Sequence, residues 1–229
     1  MERTKSFFAD WTTFEKVWLV VSTILITTTS IIMKDTPLTL VSSIAGVISV
    51  VLTAKGKIEN FYFGMFQVVT YAYICYHAHL YGEVMYNLAM VPAIIIGYIN
   101  WKRHMQDGDS EVSARNLSKK GWIILIIGTL AAIAFYNLFL QYLGGNFTLM
   151  DAVSTTFSVV ATILMLARYS EQWIMWLSVN VASILLWLMS AGYDGSGYTI
   201  MVMWGAYFFN SLYGFLNWRK MAAQSKKIQ

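Results

Sequence analysis

Charge is scarce in this chain. Only 12% of its 229 residues are Asp, Glu, Lys or Arg, roughly half the share of an ordinary soluble domain. Proline occurs twice and cysteine once, so disulfides play no part in the design. Cys75 lies in an apolar segment and reads as a packing residue. There is no glycine-rich phosphate cradle, no His/Cys metal spacing and no nucleophile with a partnering base, which argues against an enzyme. His77 and His79 are two apart and face different sides of a helix, so no metal site is expected, and no cofactor. No chain of intramembrane carboxylates suggests an ion-coupled pump, and uncoupled passage is the simpler reading. The mixed-charge segment Met1 to Lys16 lacks the pattern of a cleavable signal peptide.

What the chain does have is apolar length. Hydrophobic residues make up 57%, with 9 Trp, 14 Tyr and 13 Met, the profile of an all-α polytopic membrane protein. A span needs about 20 mainly apolar residues. Eight segments qualify: Trp18–Met33, Leu38–Ala54, Asn60–Leu80, Val84–Trp101, Gly121–Gln141, Leu149–Ala167, Gln172–Ala191 and Tyr198–Trp218. The first is short, but Lys16 and Lys34 can snorkel from its ends. Eight spans place both termini on one side together with the loops after spans 2, 4 and 6, and that side holds 15 of the 16 basic residues, all but Lys34. The positive-inside rule makes it the cytoplasmic side, N-in and C-in. The net charge of +4 is then explained by topology determinants, with no nucleic-acid partner implied.

A repeat divides the chain further. Span 4 ends Gly97-Tyr98-Ile99-Asn100-Trp101-Lys102-Arg103-His104-Met105, and span 8 ends Gly214-Phe215-Leu216-Asn217-Trp218-Arg219-Lys220-Met221. Lys55 and Arg168 close spans 2 and 6. On that anchor Asn60, Phe63 and Gln67 fall opposite Trp173, Trp176 and Asn180. Spans 2–4 and 6–8 read as two copies of a three-helix unit, with span 5 joining them and span 1 extra, a 1+3+1+3 plan. The resulting blocks are 1–36 (N-terminal segment and extra helix), 37–104 (first repeat), 105–147 (cytoplasmic linker and connecting helix), 148–221 (second repeat) and 222–229 (tail). An odd connecting helix makes the repeats parallel, as in some secondary transporters whose substrate site lies at the repeat interface. The linker 102–120 is polar, and Gln106–Ser110 is expected to be a flexible turn.

The site candidates lie on the third, seventh and eighth spans. Trp173, Trp176, Asn180, Ser183 and Trp187 are spaced three, four, three and four apart and share one helix face. Flat rings with an amide and a hydroxyl suit a small, flat, polar solute. Trp173 also fits an interfacial belt; Trp176, one turn deeper, is better placed to stack on a ring. Asn180 and Gln67 serve either a cavity or an interhelical hydrogen bond. On span 8, Met203, Tyr207, Asn210, Tyr213 or Gly214, and Asn217 recur at helical spacing. Asn210 is weighed like Asn180; Tyr207 and Tyr213 fit packing as well as a site. Phe63 would close the other side of a stacking slot. Asp151 at the start of span 6 fits a helix dipole, and Glu83 and Asp194 read as outer-surface residues.

The string Glu171-Gln172-Trp173-x-x-Trp176-x-x-x-Asn180 resembles the Trp-x-x-Trp-x-x-x-Asn signature of the PnuC family of nicotinamide riboside transporters. Ile58-Glu59-Asn60-Phe61-Tyr62-Phe63-Gly64 and Asn210-Ser211-Leu212-Tyr213-Gly214-Phe215-Leu216-Asn217-Trp218 are similar to the same family. The likeness covers nearly the whole chain. It implies a bacterial inner-membrane homotrimer related in fold to the sugar transporters called SWEETs. It implies facilitated diffusion of a vitamin precursor through the lipid bilayer, followed by trapping by a cytoplasmic kinase. Gln67 and Ile94 stand where such relatives commonly carry Asn and an amide, respectively. Similar family branches are thought to carry thiamine or riboflavin, so these cargoes stay open beside the riboside. An intramembrane enzyme or receptor is the alternative of another class, but no catalytic group or partner domain is seen for either.

Overall fold

The computed structural model describes residues 11–34, 36–77, 81–105, 111–142, 144, 148–194 and 198–228. Among them are eight helices: α1 (Thr13–Met33), α2 (Pro37–Lys55), α3 (Asn60–His77), α4 (Tyr81–Arg103), α5 (Lys119–Tyr142), α6 (Thr148–Leu166), α7 (Gln172–Asp194) and α8 (Tyr198–Ile228). Each overlies one of the eight apolar segments. The expectations resting on the side chains of Cys75, His79, Glu83, Asp151, Ser183, Trp187, Asp194 and Met203, and on the turn Gln106–Ser110, fall outside the described residues.

Local chemistry explains where the helices begin and end. Thr12 accepts from the Glu15 amide while Glu15 returns a bond to the Thr12 amide, a reciprocal cap. It starts α1 five residues before the apolar run does. Pro37 opens α2, where its missing N–H costs nothing. Left-handed residues close three helices: Lys34 after α1, Gly56 (φ 78°) after α2 and Arg168 (φ 62°) after α6. α8 outlasts its apolar segment, running past Trp218 through Arg219 and Lys220 to Ile228.

Among the described residues four helices, α1, α2, α5 and α6, are long and apolar enough to cross a membrane. The site candidates lie on α3, α7 and α8. α5 presents Ile124, Phe135 and Leu138 outward, as a lipid-facing helix does.

The chain forms two compact units. One comprises the residues up to Leu52 with Glu59–Pro92; the other comprises Thr53–Ile58 with the chain from Ala93 onward. In the first, Trp11, Val47, Val51 and Leu52 form a core against which Trp18, Leu19, Ile26, Ile48 and Phe63 pack. Small residues let α2 and α3 approach closely. A Cβ on Gly64 would lie 3.0 Å from Ser49 Oγ, and one on Gly46 would lie 3.3 Å from Gln67 Cγ. Ser49 donates to the Asn60 carbonyl at 2.9 Å.

In the second unit α5, α6, α7 and α8 pack in sequence order. Ala161, Leu164 and Met175 form a core joined by Leu117, Phe157, Ile174 and Trp176. A strap, Glu111–Ser118, is fastened across the ends of α2 and α6. Val112 N–H donates to Gly56 O at 2.9 Å and Arg115 N–H to Arg168 O at 3.0 Å, and Ser170 N–H returns a bond to Arg115 O. Glu171 Oε1 accepts from Leu117 N–H at 3.0 Å, and Arg168 Nη1 donates to Ser113 O at 2.8 Å. The polar linker is thus anchored over its second half. Three basic residues, Lys55, Lys57 and Arg168, are buried at this end. Desolvation and then the neighbouring Arg115 lower the pKa of Arg168.

Gly56 yields a first prediction. A side chain there must adopt φ 78° and place its Cβ 2.5 Å from Met221 Cε. The methionine tip can move, but the backbone strain cannot be relieved. Gly56→Ala is expected to cost about 1–2 kcal/mol, read as a lower thermal unfolding midpoint. Gly56→Asn, which tolerates the left-handed region better, should cost less. Equal midpoints for alanine and wild type would refute this.

Candidate functional site

α7 and α8 meet along a seam in which polar and aromatic groups are buried together. At its basic end Trp173, only 2% exposed, lies flat against the α8 backbone. A Cβ on Gly214 would fall 2.5–2.6 Å from three carbons of its indole, so only glycine fits. The Trp173 ring also meets Trp218 edge-on at 6.4 Å. Two turns further along α7, Asn180 Nδ2 donates to Ser211 Oγ at 3.0 Å. Both groups are buried, as is Asn210 beside them.

The α8 face is built by spacing. Tyr207, Ser211, Gly214 and Trp218 recur at four, three and four residues, one stripe of a helix, with Asn210 and Tyr213 on its flank. Tyr207 and Tyr213 are half-buried. Several polar atoms here have no hydrogen-bond partner among the described residues: Asn210 Nδ2, Trp173 Nε1, and both ends of the Gln172 amide. Unpaired buried donors are costly, typically about 1–3 kcal/mol each.

The sequence candidates therefore separate. Trp173 is a packing residue in this state and not a belt tryptophan, since its ring is enclosed by Gly214 and Trp218. Trp176 is half-buried and rests on the Ala161–Leu164–Met175 core. Asn180 makes an interhelical bond, and the Asn210 N–H₂ has no partner among the described residues. Gln67 and Phe63 belong to the first unit. The Gln67 carbonyl accepts from Thr70 Oγ1 at 3.1 Å, while its side-chain amide has no hydrogen bond among the described residues. Phe63 packs on the Trp11–Val51 core.

Helix ends offer a repeat offset one residue shorter than the one set by Lys55 and Arg168. Gly56 and Arg168, and likewise the helix starts Asn60 and Gln172, stand 112 positions apart. On that offset Phe61, itself buried, stands opposite Trp173, and Phe63 stands opposite Met175 and not Trp176. Sequence reasoning missed Ser211 and Gln172. A hydroxyl four residues after Tyr207 and three before Gly214 was a usable signal for the first; no signal marked the second.

Long helices, four of them among the described residues apolar enough to cross a membrane, with amides and indoles buried between two others, define a multi-pass membrane protein of the solute-transporter class. A family model described as nicotinamide mononucleotide transporter matches residues 36–220. The nicotinamide riboside transporter PnuC of Haemophilus influenzae is 37% identical over 224 residues, covering 96% of each chain. Its namesake from Neisseria mucosa is 34% identical over 223 residues, covering 95% of this chain and 85% of the relative. A crystal structure of the vitamin B3 transporter PnuC superposes with a TM-score of 0.78 at 34% identity, covering 95% of both chains. The chain belongs to the nicotinamide mononucleotide transporter family. Its fold and family are those of a transporter and not of an enzyme.

Proposed function

We propose that the protein is a passive importer of nicotinamide riboside. The relatives matching most of its length are named for that cargo. The observation that carries the reading is the α7–α8 seam, where an Asn180–Ser211 pair lies buried beside an Asn210 N–H₂ that has no partner among the described residues. Amides of this kind suit a carboxamide or ribose hydroxyls. Trp176 stacks on the pyridinium ring, and cation–π attraction adds about 0.5–2 kcal/mol. Trp173 supports that wall from behind. Asn210 bonds the polar groups, with Tyr207 and Tyr213 shaping the passage.

Charge favours the riboside over the mononucleotide. Neither 60–101 nor 172–218 contains a lysine or arginine, so a phosphate dianion would enter these helices without a counter-charge. The 1+3+1+3 plan with two parallel repeats, N-in and C-in in the bacterial inner membrane, is the arrangement that the basic residues support. A homotrimer is the assembly assigned to it. Kinase trapping of the imported nucleoside makes energy coupling unnecessary.

Calorimetry on detergent-purified protein tests this reading with nicotinamide riboside, its mononucleotide and thiamine side by side. The riboside is expected to bind at least tenfold more tightly than the other two. Preference for thiamine would overturn the cargo and make Gln67 and Ile94 the marks of a different pocket. Preference for the mononucleotide would overturn the charge argument.

A further inference from the structure

The repeated Asn-Trp-basic-basic ending of α4 and α8 lies outside the solute-reading role proposed above, yet its side chains are used twice in the same way. The last carbonyls of any helix lack partners within it. At the end of α2, Asn217 Nδ2 donates to Ala54 O at 3.0 Å and Trp218 Nε1 to Thr53 O at 2.8 Å. At the end of α6, Asn100 Nδ2 donates to Leu166 O at 2.6 Å and Trp101 Nε1 to Met165 O at 3.0 Å. The assignments cross: the second copy of the motif caps a helix of the first half, and the first copy caps a helix of the second. The Trp101 and Trp218 rings meet at 5.4 Å, and both residues are fully buried.

We propose that the two Asn-Trp pairs are a symmetric latch that closes the basic end of the transporter and must release for solute to leave there. This rests on the transport reading above. Three features support it. Because the caps cross, relative movement of the halves breaks four hydrogen bonds and one ring contact together, which makes the device two-state. The acceptors are helix-terminal carbonyls, so water replaces the lost bonds without unwinding a helix. Beside the latch, Trp173 Nε1 and the whole Gln172 amide are buried without partners among the described residues. A permanent brace would bear that cost continuously, whereas opening hydrates these groups and offsets the loss of the caps.

The test is thiol accessibility, which needs no substrate and so stands apart from any failure of the riboside assignment. In a Cys75→Ser background, Ala54→Cys places a thiol at a position fully buried in the closed state. Reaction with a water-soluble maleimide is expected to be slow there. It should accelerate at least tenfold with Trp218→Phe, which keeps a ring and removes the N–H donor. Trp101→Phe, at the other copy, should accelerate it as much, because the latch opens as one. Melting midpoints are recorded on the same samples. Should either variant fail to fold, Asn217→Ala and Asn100→Ala give the same comparison. Coupled acceleration at an unchanged midpoint supports the latch. Acceleration by Trp218→Phe alone, no acceleration, or acceleration that only follows the midpoint makes the motif a static cap and overturns it.

Discussion

Gly214→Ala should lower stability by about 1–3 kcal/mol in the wild-type chain and by almost nothing once Trp173 is already alanine. The added methyl falls 2.5–2.6 Å from Cζ2, Cε2 and Cη2 of Trp173, well inside van der Waals contact. The indole is nearly fully enclosed and has Trp218 at its edge, so it cannot swing away without opening the seam. Trp173→Ala alone should be more damaging, about 3–5 kcal/mol for a buried tryptophan lost to a cavity. That cavity then receives the alanine methyl at position 214. The double-mutant cycle should therefore show strong coupling of favourable sign, measured by thermal or denaturant unfolding in detergent. Additive effects would mean that the two helices do not meet at this point.

Trp176→Ala should act on binding more than on folding. Its ring is half-buried and contributes less to the core than Trp173, yet it is the indole assigned to the pyridinium. Losing the cation–π term alone removes about 0.5–2 kcal/mol, roughly a 2- to 30-fold rise in Kd, and loss of ring contact area adds to it. Calorimetry with nicotinamide riboside reads the change. Trp176→Phe should recover part of the affinity, since a smaller aromatic face remains. Unchanged affinity for Trp176→Ala would remove stacking at this residue from the account.

Much of the helical framework was legible in the sequence because hydropathy alone locates long apolar runs. The ends were less so. Thr12 and Glu15 extend α1 by a cap, not by hydrophobicity, and α8 continues through Arg219 and Lys220 where apolar content stops. Helical spacing groups Trp173, Trp176 and Asn180 on one side of α7, whereas in the fold Trp173 and Asn180 meet α8 and Trp176 packs on the Ala161–Leu164–Met175 core. What each residue touches depended on α8. A glycine at 214 makes Trp173 a packing ring, and a serine at 211 takes one Asn180 hydrogen. The strap at 111–118 could not be read at all. Its composition is that of any polar loop, and its order comes from backbone bonds to Gly56 and Arg168, which lie far away along the chain. The Asn-Trp repeat was plain as a pattern, but its crossed hydrogen bonds are a property of the folded chain.

The strap also acts as a ruler. Its two backbone anchors, Val112 on Gly56 and Arg115 on Arg168, are only three residues apart. Even fully stretched, three residues reach about 10–11 Å. While those anchors hold, the three residues and the two hydrogen bonds at their ends leash the Gly56 and Arg168 carbonyls to within about 16–17 Å of each other, however the side chains between them rearrange. Chain length between two hydrogen bonds, and not the bulk of any side chain, then sets how far these two helix ends can part without breaking a backbone bond.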